Sequence, residues 1–192
     1  MNPYVSLCVI SGDEGVDGLP RLIDSVCNRP LGPLFDEIVI WWNGTGERPA
    51  TVSADSINGA VIRVVRGEWQ DDFAQARQQS FDAARGEWRF YADSDDVFAK
   101  SSSDQVAASL AGVSVDAAKV RPVRLSDYLR AQAPDVNVMV VPYHYTTDAH
   151  GAVIELQWRR CGYRWGAGWI WSKDAKVHEE VVPIGGCIPR EI

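Results

Sequence analysis

Apolar residues occur along this chain in short continuous runs, separated by polar and glycine-rich segments. Runs of this length predict strands that are buried on both faces of a sheet. Four such runs lie in the first half of the chain: Tyr4–Ile10, Glu37–Trp42, Ala60–Val65 and the run that starts at Trp88. Helical spacing of apolar residues occurs between them, after Leu19 and across residues 72–85. This alternation predicts an α/β fold, with a mostly parallel central sheet flanked by helices.

The helix predicted over residues 72–85 carries its own boundary signals. Asp71 or Asp72 is suited to the N-cap, and Gly86 to the C-terminal stop. The residues expected on its packing face are Phe73, Ala76, Ser80 and Ala84, with Phe81 alongside. Arg77 follows Phe73 by one turn, and taken alone it is expected to be a solvated arginine on a charged helix.

The second half of the chain predicts two short helices and a hairpin. The helices are expected from Ser101 to Leu110 and from Leu125 to Ala133, where Pro134 ends the second. Alternating strands over 136–145 and 152–160, with a turn over 146–151, predict the hairpin. A segment rich in Trp, Gly and Arg follows, from Cys161 to Pro183.

A cluster of carboxylates directly follows the run that starts at Trp88. Asp93, Asp95 and Asp96 surround Ser94 at the predicted strand end. In an open α/β sheet, ligands bind at the carboxyl edge of the strands. Closely spaced carboxylates repel one another unless a cation joins them, and Mg²⁺ or Mn²⁺ shares such oxygens with phosphates. The cluster therefore indicates either a metal–diphosphate site or an acidic turn that caps the next helix.

Composition limits the classes of function. The chain has 192 residues with 46% hydrophobic residues, enough for one globular domain over 1–192. Its formal net charge of -7 disfavours binding to nucleic acid or anionic membrane. No apolar run has the length of a membrane span, and because Met1 is followed almost directly by a predicted strand, no signal peptide is expected. The four cysteines show no paired spacing, so free thiols and a cytoplasmic location are expected.

Three motifs in order resemble those of a known enzyme family. Trp69 to Arg77 contains Phe-Ala-x-Ala-Arg, residues 83–88 contain Ala-x-Gly-x-Trp, and Asp93 to Asp95 forms Asp-x-Asp. This order resembles the family 2 glycosyltransferases of GT-A fold. The resemblance implies metal-dependent, inverting transfer of a sugar from a nucleotide-sugar donor, most simply a UDP-sugar, to an acceptor hydroxyl. Mn²⁺ or Mg²⁺ is the implied cofactor, and the acceptor, a carbohydrate, a lipid-linked molecule or a protein, stays open.

The resemblance also implies roles for individual residues. The nucleotide part is expected over about 1–100 and the acceptor part over about 101–192. The implied nucleotide-binding residues are Ser11, Glu14, Asn43, Arg77 and Asp93. The implied metal ligands are Asp93, Asp95 and His178. The implied catalytic residues are Glu179 as the preferred base, His178 as an orienting or diphosphate-binding group, and Asp96 next in line as base.

The chain departs from the family pattern in three places. The family commonly has Asp-Asp-Gly-Ser where this chain has Trp42-Asn43-Gly44-Thr45, and it has Arg-Asn where this chain has Arg77-Gln78. The family also usually carries more chain beyond the Val-His-Glu triplet that ends at Glu179. The first departure leaves open which nucleobase the donor carries. The last predicts either a minimal enzyme or a truncated one.

Two other functions compete with this interpretation. A sugar-phosphate nucleotidyltransferase also uses a parallel sheet and metal-binding Asp, but it needs a basic, Gly-rich loop after the first strand. The loop Ser11-Gly12-Asp13-Glu14 is acidic instead. A non-catalytic carbohydrate-binding or interaction protein on a transferase scaffold is favoured by Asn43 and by the short C-terminal part, and is disfavoured by the intact cluster from Asp93 to Asp96. For the four tryptophans between 158 and 171, the alternatives are core packing and stacking of one or two on a sugar or acceptor.

Overall fold

The computed structural model describes residues 3–98, 124–147, 153–172 and 180–192. The strands within these residues are β1 (Val5–Ser11), β2 (Glu37–Trp42), β3 (Ser56–Ile57), β4 (Ala60–Arg66), β5 (Trp88–Asp93), β6 (Val138–Thr147), β7 (Val153–Arg164), β8 (Trp169–Trp171) and β9 (Val181–Pro183). The helices are α1 (Leu19–Cys27), α2 (Phe73–Ala83) and α3 (Leu125–Arg130), with 3₁₀ turns at Asp13–Gly15 and Trp165–Ala167. The helix predicted over 101–110 and most of the turn predicted over 146–151 lie outside the described residues.

Within the described ranges, the central sheet has seven strands in the order β3-β4-β2-β1-β5-β7-β6, and β8 pairs with β9 in a separate small sheet. Strands β4, β2, β1 and β5 are parallel neighbours, whereas β3, β7 and β6 add to the two edges in antiparallel fashion. The predicted α/β fold with a mostly parallel sheet and a hairpin is therefore confirmed. The strand β3 was not predicted, because two residues are too few to show a strand pattern.

Strands β1 and β2, in the middle of the parallel part of the sheet, are largely apolar because both of their faces are covered. All six residues of β2 are buried. On β1, Val5, Leu7 and Val9 face the core that contains the apolar side of α1. Cys8 points the other way, into the core that contains Phe81 of α2. The period of two along the strand thus divides the apolar residues between two helical layers.

Helix α2 begins and ends close to the predicted positions. Asp72 is its N-cap, and its side chain accepts a hydrogen bond from the amide of Gln75 at 3.0 Å. The helix ends at Ala83, two residues before the predicted end. The prediction for its packing face was wrong at Phe73, which is 39% exposed. The expectation of a solvated arginine at position 77 was also wrong, because Arg77 is buried.

A buried carboxylate joins the first strands to the end of α2. Glu37 is 1% exposed and accepts hydrogen bonds from the hydroxyl of Ser6, the guanidinium of Arg63 and the amide of Arg85. These donors belong to β1, β4 and the segment after α2. A buried carboxylate is tolerated only when its oxygens are paired in this way. Glu37 therefore fixes the mutual position of these elements.

The hairpin β6–β7 continues the sheet beyond β5, with Trp88 opposite Arg164 and Phe90 opposite Gly162. A Cβ on Gly162 would lie 2.3 Å from the ring of Phe90, so only glycine allows this close approach. Strand β7 extends to Arg164, four residues past its predicted end. This pairing brings the hairpin against the strand that carries the acidic cluster.

Two further expectations concern membranes and thiols. Among the described residues, no helix combines the length and apolar character that crossing a membrane requires. All four cysteines are free, as predicted. Cys8, Cys27 and Cys161 are buried, and Cys187 is half-buried.

Candidate active site

The parallel strands end in register at one edge of the sheet. Ser11 at the end of β1 lies opposite Trp42 of β2, and Trp42 lies opposite Arg66 of β4. On the other side of β1, Ile10 lies opposite Asp93 of β5. The polar segments that follow these strands therefore meet, as expected of the ligand-binding edge of an α/β sheet.

A cleft of about 490 Å³ lies along this edge. It is lined by residues 10–15, by Trp41, Asn43 and Gly44, by Trp69 and Phe73, and by Ser94. Three of the predicted nucleotide-binding residues, Ser11, Glu14 and Asn43, thus line one cleft. The rings of Trp69 and Phe73 meet edge to face at 4.7 Å and stay more than a third exposed. They provide an aromatic surface that the sequence interpretation did not assign to the site.

The loops after β1 and β2 are joined by a carboxylate that the sequence analysis did not single out as a site residue. Asp13 accepts hydrogen bonds from the amide of Thr45 at 2.9 and 3.0 Å and from its hydroxyl at 2.7 Å. The hydrogen bonds from the backbone amide of Thr45, and then the one from its hydroxyl, lower the pKa of Asp13 below its ordinary value. The backbone N–H of Asn43 donates a hydrogen bond to the backbone carbonyl of Ser11 at 3.2 Å. Asp13 therefore supplies a carboxylate next to the position where the family pattern has one and this chain has Asn43.

Two glycines let the loop between β1 and α1 pack on the acidic turn. A Cβ on Gly15 would lie 2.6 Å from the hydroxyl of Ser94, and one on Gly18 would lie 2.4 Å from the carbonyl of Ser94. Both distances are too short for a side chain. The Gly-rich composition of this loop is thus explained by close contact with the turn that follows β5.

Arg77 lies beside the acidic cluster. Its guanidinium contacts the Oδ1 of Asp93 at 2.5 Å and stacks over the rings of Tyr91 at 4.9 Å and Trp171 at 5.5 Å. The side chain of Arg77 is 5% exposed, and that of Asp93 is 41% exposed. Arg77 and Asp93, two of the predicted nucleotide-binding residues, are therefore in direct contact. Direct contact of Arg77 with a nucleotide stays a prediction.

The other two carboxylates differ sharply in environment. Asp95 is exposed, and its backbone carbonyl accepts a long hydrogen bond, 3.5 Å, from Arg21. Asp96 is half-buried: its Oδ2 accepts the amide of Asp93 and its Oδ1 accepts the hydroxyl of Tyr143, both at 2.8 Å. Burial raises the pKa of Asp96, and the two hydrogen bonds oppose that shift. Burial, and then the bond to Asp96, raise the pKa of Tyr143 to about 12, so the phenol stays protonated.

The three carboxylates also differ in how accessible they are to a divalent cation. Within the described ranges, no group of three or more His, Cys, Asp or Glu is arranged to hold a metal ion. A cation that bridges to phosphates, however, needs only one or two protein carboxylates. Asp95 is exposed at the edge of the sheet and is therefore accessible to such an ion, but its role as a metal ligand stays a prediction. Asp93 is engaged by Arg77, so its assignment as a metal ligand stays a prediction.

The predicted acceptor residues and the tryptophans have different outcomes. His178 and Glu179 lie outside the described residues.

Trp169 and Trp171 are 5% and 2% exposed and pack on Tyr163 and Phe81, so for these two core packing is the correct alternative. Trp158, in contrast, is 63% exposed on β7.

Known proteins resemble this chain in both sequence and fold. A TPR repeat-containing protein of Synechococcus elongatus is 29% identical over 170 residues, which is 83% of this chain and 39% of that protein. The crystal structure of S. aureus TarS superposes with a TM-score of 0.54 at 16% identity, over 91% of this chain and 31% of that one. A structure of S. aureus TarS 1-349 in complex with UDP gives a TM-score of 0.43 at 21% identity, over 56% of this chain and 32% of that one.

The chain thus spans less than half of the length of each of these relatives. The match to TarS at a TM-score of 0.54 shows that the fold is GT-A-like, as predicted. The family model for glycosyl transferase family 2 matches residues 6–150. Because this match covers more than half of the chain, the predicted family is confirmed, and the chain belongs to glycosyl transferase family 2.

Proposed function

We propose that this chain transfers a sugar from a nucleotide-sugar donor to an acceptor hydroxyl, with inversion and with the help of a divalent cation. The observation that carries the proposal is the cleft at the carboxyl edge of the sheet. Its lining includes the aromatic pair Trp69 and Phe73, and also Ser94, which directly precedes Asp95 in the sequence. We place the flat base of a nucleoside diphosphate on the aromatic pair and its charged phosphates beside Ser94 and Asp95.

The base end of the cleft combines stacking and hydrogen-bonding groups. Trp69 and Phe73 offer exposed ring surface, on which a base can stack. Asn43 offers an amide that can pair with the edge of a pyrimidine, and Ser11 offers a hydroxyl. This combination supports a uridine nucleotide, the donor predicted from the sequence. The acidic side chains of Asp13 and Glu14 on the same cleft disfavour a triphosphate, and so a nucleotidyltransferase.

A bound diphosphate needs positive charge beside it. Arg77 already neutralises Asp93. We therefore assign Asp95 to the cation, shared with the diphosphate. When bound, Mn²⁺ or Mg²⁺ supplies Lewis-acid stabilisation of the charge on the leaving group. Asp93, fixed by Arg77, is left to orient the donor through its exposed face.

The acceptor hydroxyl must lose a proton as it attacks. Asp96 is poorly suited to take it, because both of its oxygens accept hydrogen bonds and it is half-buried. Glu179 therefore stays the proposed base, with His178 as the orienting or diphosphate-binding group. The acceptor is a carbohydrate, a lipid-linked molecule or a protein. The cytoplasmic location is likewise a proposal, made from the sequence alone.

Calorimetric titration of UDP, with and without Mn²⁺, tests the proposal. We expect the wild type to bind UDP in a Mn²⁺-dependent manner, and Asp95→Asn to abolish this Mn²⁺-dependent binding while leaving the fold intact. The matched control is Asp127→Asn, which removes an exposed carboxylate on α3 and should bind as the wild type does. Equal binding by the wild type and Asp95→Asn at saturating Mn²⁺ would remove Asp95 from the site. Binding of UDP-sugars without hydrolysis or transfer would favour the non-catalytic alternative.

A further inference from the structure

Arg159 on β7 lies against the end of β5, although β7 belongs to the half of the chain expected to serve the acceptor. Its Nε donates a hydrogen bond to the hydroxyl of Tyr91 at 3.0 Å. Its Nη2 lies 3.9 Å from the Oδ2 of Asp93. The guanidinium also stacks over the rings of Tyr91 at 4.7 Å and Tyr143 at 5.0 Å. One side chain thus contacts the strand, the first carboxylate of the cluster and the neighbouring hairpin strand.

These contacts suit arginine and no other residue. A planar guanidinium can stack on an aromatic face while its N–H groups donate in the plane, which the ammonium of lysine cannot do. The side chain of Arg159 is 31% exposed, so its charge is only partly screened by water. Its neighbour Arg160 differs: it pairs with Glu191 at 2.6 Å, and both of those side chains are about half exposed.

The same hairpin holds the other end of the acidic turn. Tyr143 on β6 donates its hydroxyl to the Oδ1 of Asp96 at 2.8 Å. The Oδ2 of Asp96 in turn accepts the amide of Asp93 at 2.8 Å, which closes the turn. The amide of Asp96 also donates to the carbonyl of Asp93 at 3.1 Å. Both ends of the turn that contains Asp95 are therefore held by the hairpin.

Asp93 is consequently flanked by two arginines from opposite halves of the chain. Arg77 of α2 contacts its Oδ1, and Arg159 of β7 faces its Oδ2. A carboxylate held from both sides has a fixed orientation. Groups that orient a ligand-binding carboxylate without touching the ligand commonly change affinity when they are removed.

We propose that Arg159 is a positioning residue of the donor site: it fixes Asp93 and, together with Tyr143, holds the Asp93–Asp96 turn in the shape that binds the donor diphosphate. The inference rests on the proposed function for its ligand. It adds that the hairpin of the acceptor half controls the geometry of the donor half. A substitution at Arg159 should therefore change donor binding without any contact between Arg159 and the donor.

Three variants and one control separate this role from a general effect on stability. Arg159→Gln removes the charge, and Arg159→Lys keeps the charge but loses the combined stacking and donation. Tyr143→Phe keeps the ring that packs against Arg159 and removes the hydroxyl that donates to Asp96. Arg160→Gln is the matched control, because it neutralises the adjacent arginine on the same strand.

The first measurement is amide hydrogen exchange by NMR, without nucleotide. We expect the amide of Asp93 to exchange at least about tenfold faster in Arg159→Gln and Tyr143→Phe, and to be unchanged in Arg160→Gln. The amide of Val9, in the middle of β1, should keep its protection in every variant, because the change is local. Unchanged exchange of Asp93 in both Arg159→Gln and Tyr143→Phe overturns the inference.

The second measurement is Mn²⁺-dependent binding of UDP by calorimetry. We expect roughly 10- to 100-fold weaker binding in Arg159→Gln, a smaller loss in Arg159→Lys, and none in Arg160→Gln. Equal binding by the wild type and Arg159→Gln overturns the proposal that Arg159 positions the donor site. If the wild type binds no nucleotide, the proposed function fails, and the donor-site role of Arg159 fails with it.

Discussion

The guanidinium of Arg77 contacts the carboxylate of Asp93 at 2.5 Å and thereby joins the middle of α2 to the end of β5. The two residues are sixteen positions apart in the sequence. Arg77 is 4% exposed and also lies over the rings of Tyr91 and Trp171. The pair fixes the first carboxylate of the acidic cluster relative to the helix that borders the cleft.

Removal of Arg77 should destabilise the fold as well as the site. We expect Arg77→Ala to lower the free energy of unfolding by roughly 1.5–3 kcal/mol, because a charge-assisted hydrogen bond is lost and Asp93 keeps its charge. Urea denaturation measures the change. Arg85→Ala is the control, since Arg85 is exposed just after the same helix. Equal midpoints for the two variants would show that the pair adds nothing to stability.

Arg63 should matter more than a surface arginine. It donates to the buried carboxylate of Glu37 at 3.0 Å, so Arg63→Ala leaves that charge with weaker compensation and should cost about 3 kcal/mol. Arg48→Ala breaks a pair in which the side chain of Asp55 is 88% exposed, and it should cost less than about 1 kcal/mol. Chemical denaturation of both variants tests the contrast. A smaller cost for Arg63→Ala than for Arg48→Ala would contradict the structural role of Glu37.

Trp69 should carry part of the affinity for the base. If the base stacks on the aromatic end of the cleft, Trp69→Ala should weaken the binding of UDP by roughly 1–3 kcal/mol. The control is Trp158→Ala, which removes a more exposed tryptophan that does not line the cleft. Isothermal titration of both variants gives the comparison. Unchanged affinity in Trp69→Ala would place the base elsewhere in the cleft.

The thiols should differ in reactivity according to burial. Burial raises the pKa of Cys27 to about 11 and that of Cys161 to about 12, and it raises the pKa of Cys8 as well. At pH 8 these groups are protonated and enclosed, whereas Cys187 is half-buried. We expect a disulfide reagent to modify Cys187 first in the native protein, and all four thiols after denaturation. A fast-reacting thiol that persists in Cys187→Ser would contradict this order.

Much of the fold follows from local sequence. Strand β2 has the predicted bounds, and β1, β4, α1 and α2 start or end within a few residues of the predicted positions. These elements were predictable because continuous apolar runs and helical spacing record which faces are buried. The acidic cluster could also be placed at a strand end, since it directly follows the apolar run of β5.

The partners of the site residues were not predictable in the same way. The bond from Tyr143 to Asp96 joins residues 47 positions apart, and the bond from Arg159 to Tyr91 joins residues 68 apart. Both depend on β7 pairing with β5, which no local pattern specifies. The burial of Arg77 depends likewise on Trp171, which reaches α2 from the far end of the chain.

By itself, the sequence determined that this is an α/β chain with carboxylates at the edge of a parallel sheet. Burial patterns and strand ends depend on residues that are close together in the sequence, so they can be predicted from it. Only the tertiary structure decided how these carboxylates differ. Asp93 lies between two arginines, Asp96 is held by Tyr143, and Asp95 is exposed. The reason is electrostatic: the chemistry of a carboxylate depends on the charges and donors within a few ångströms, and here these come from distant parts of the chain.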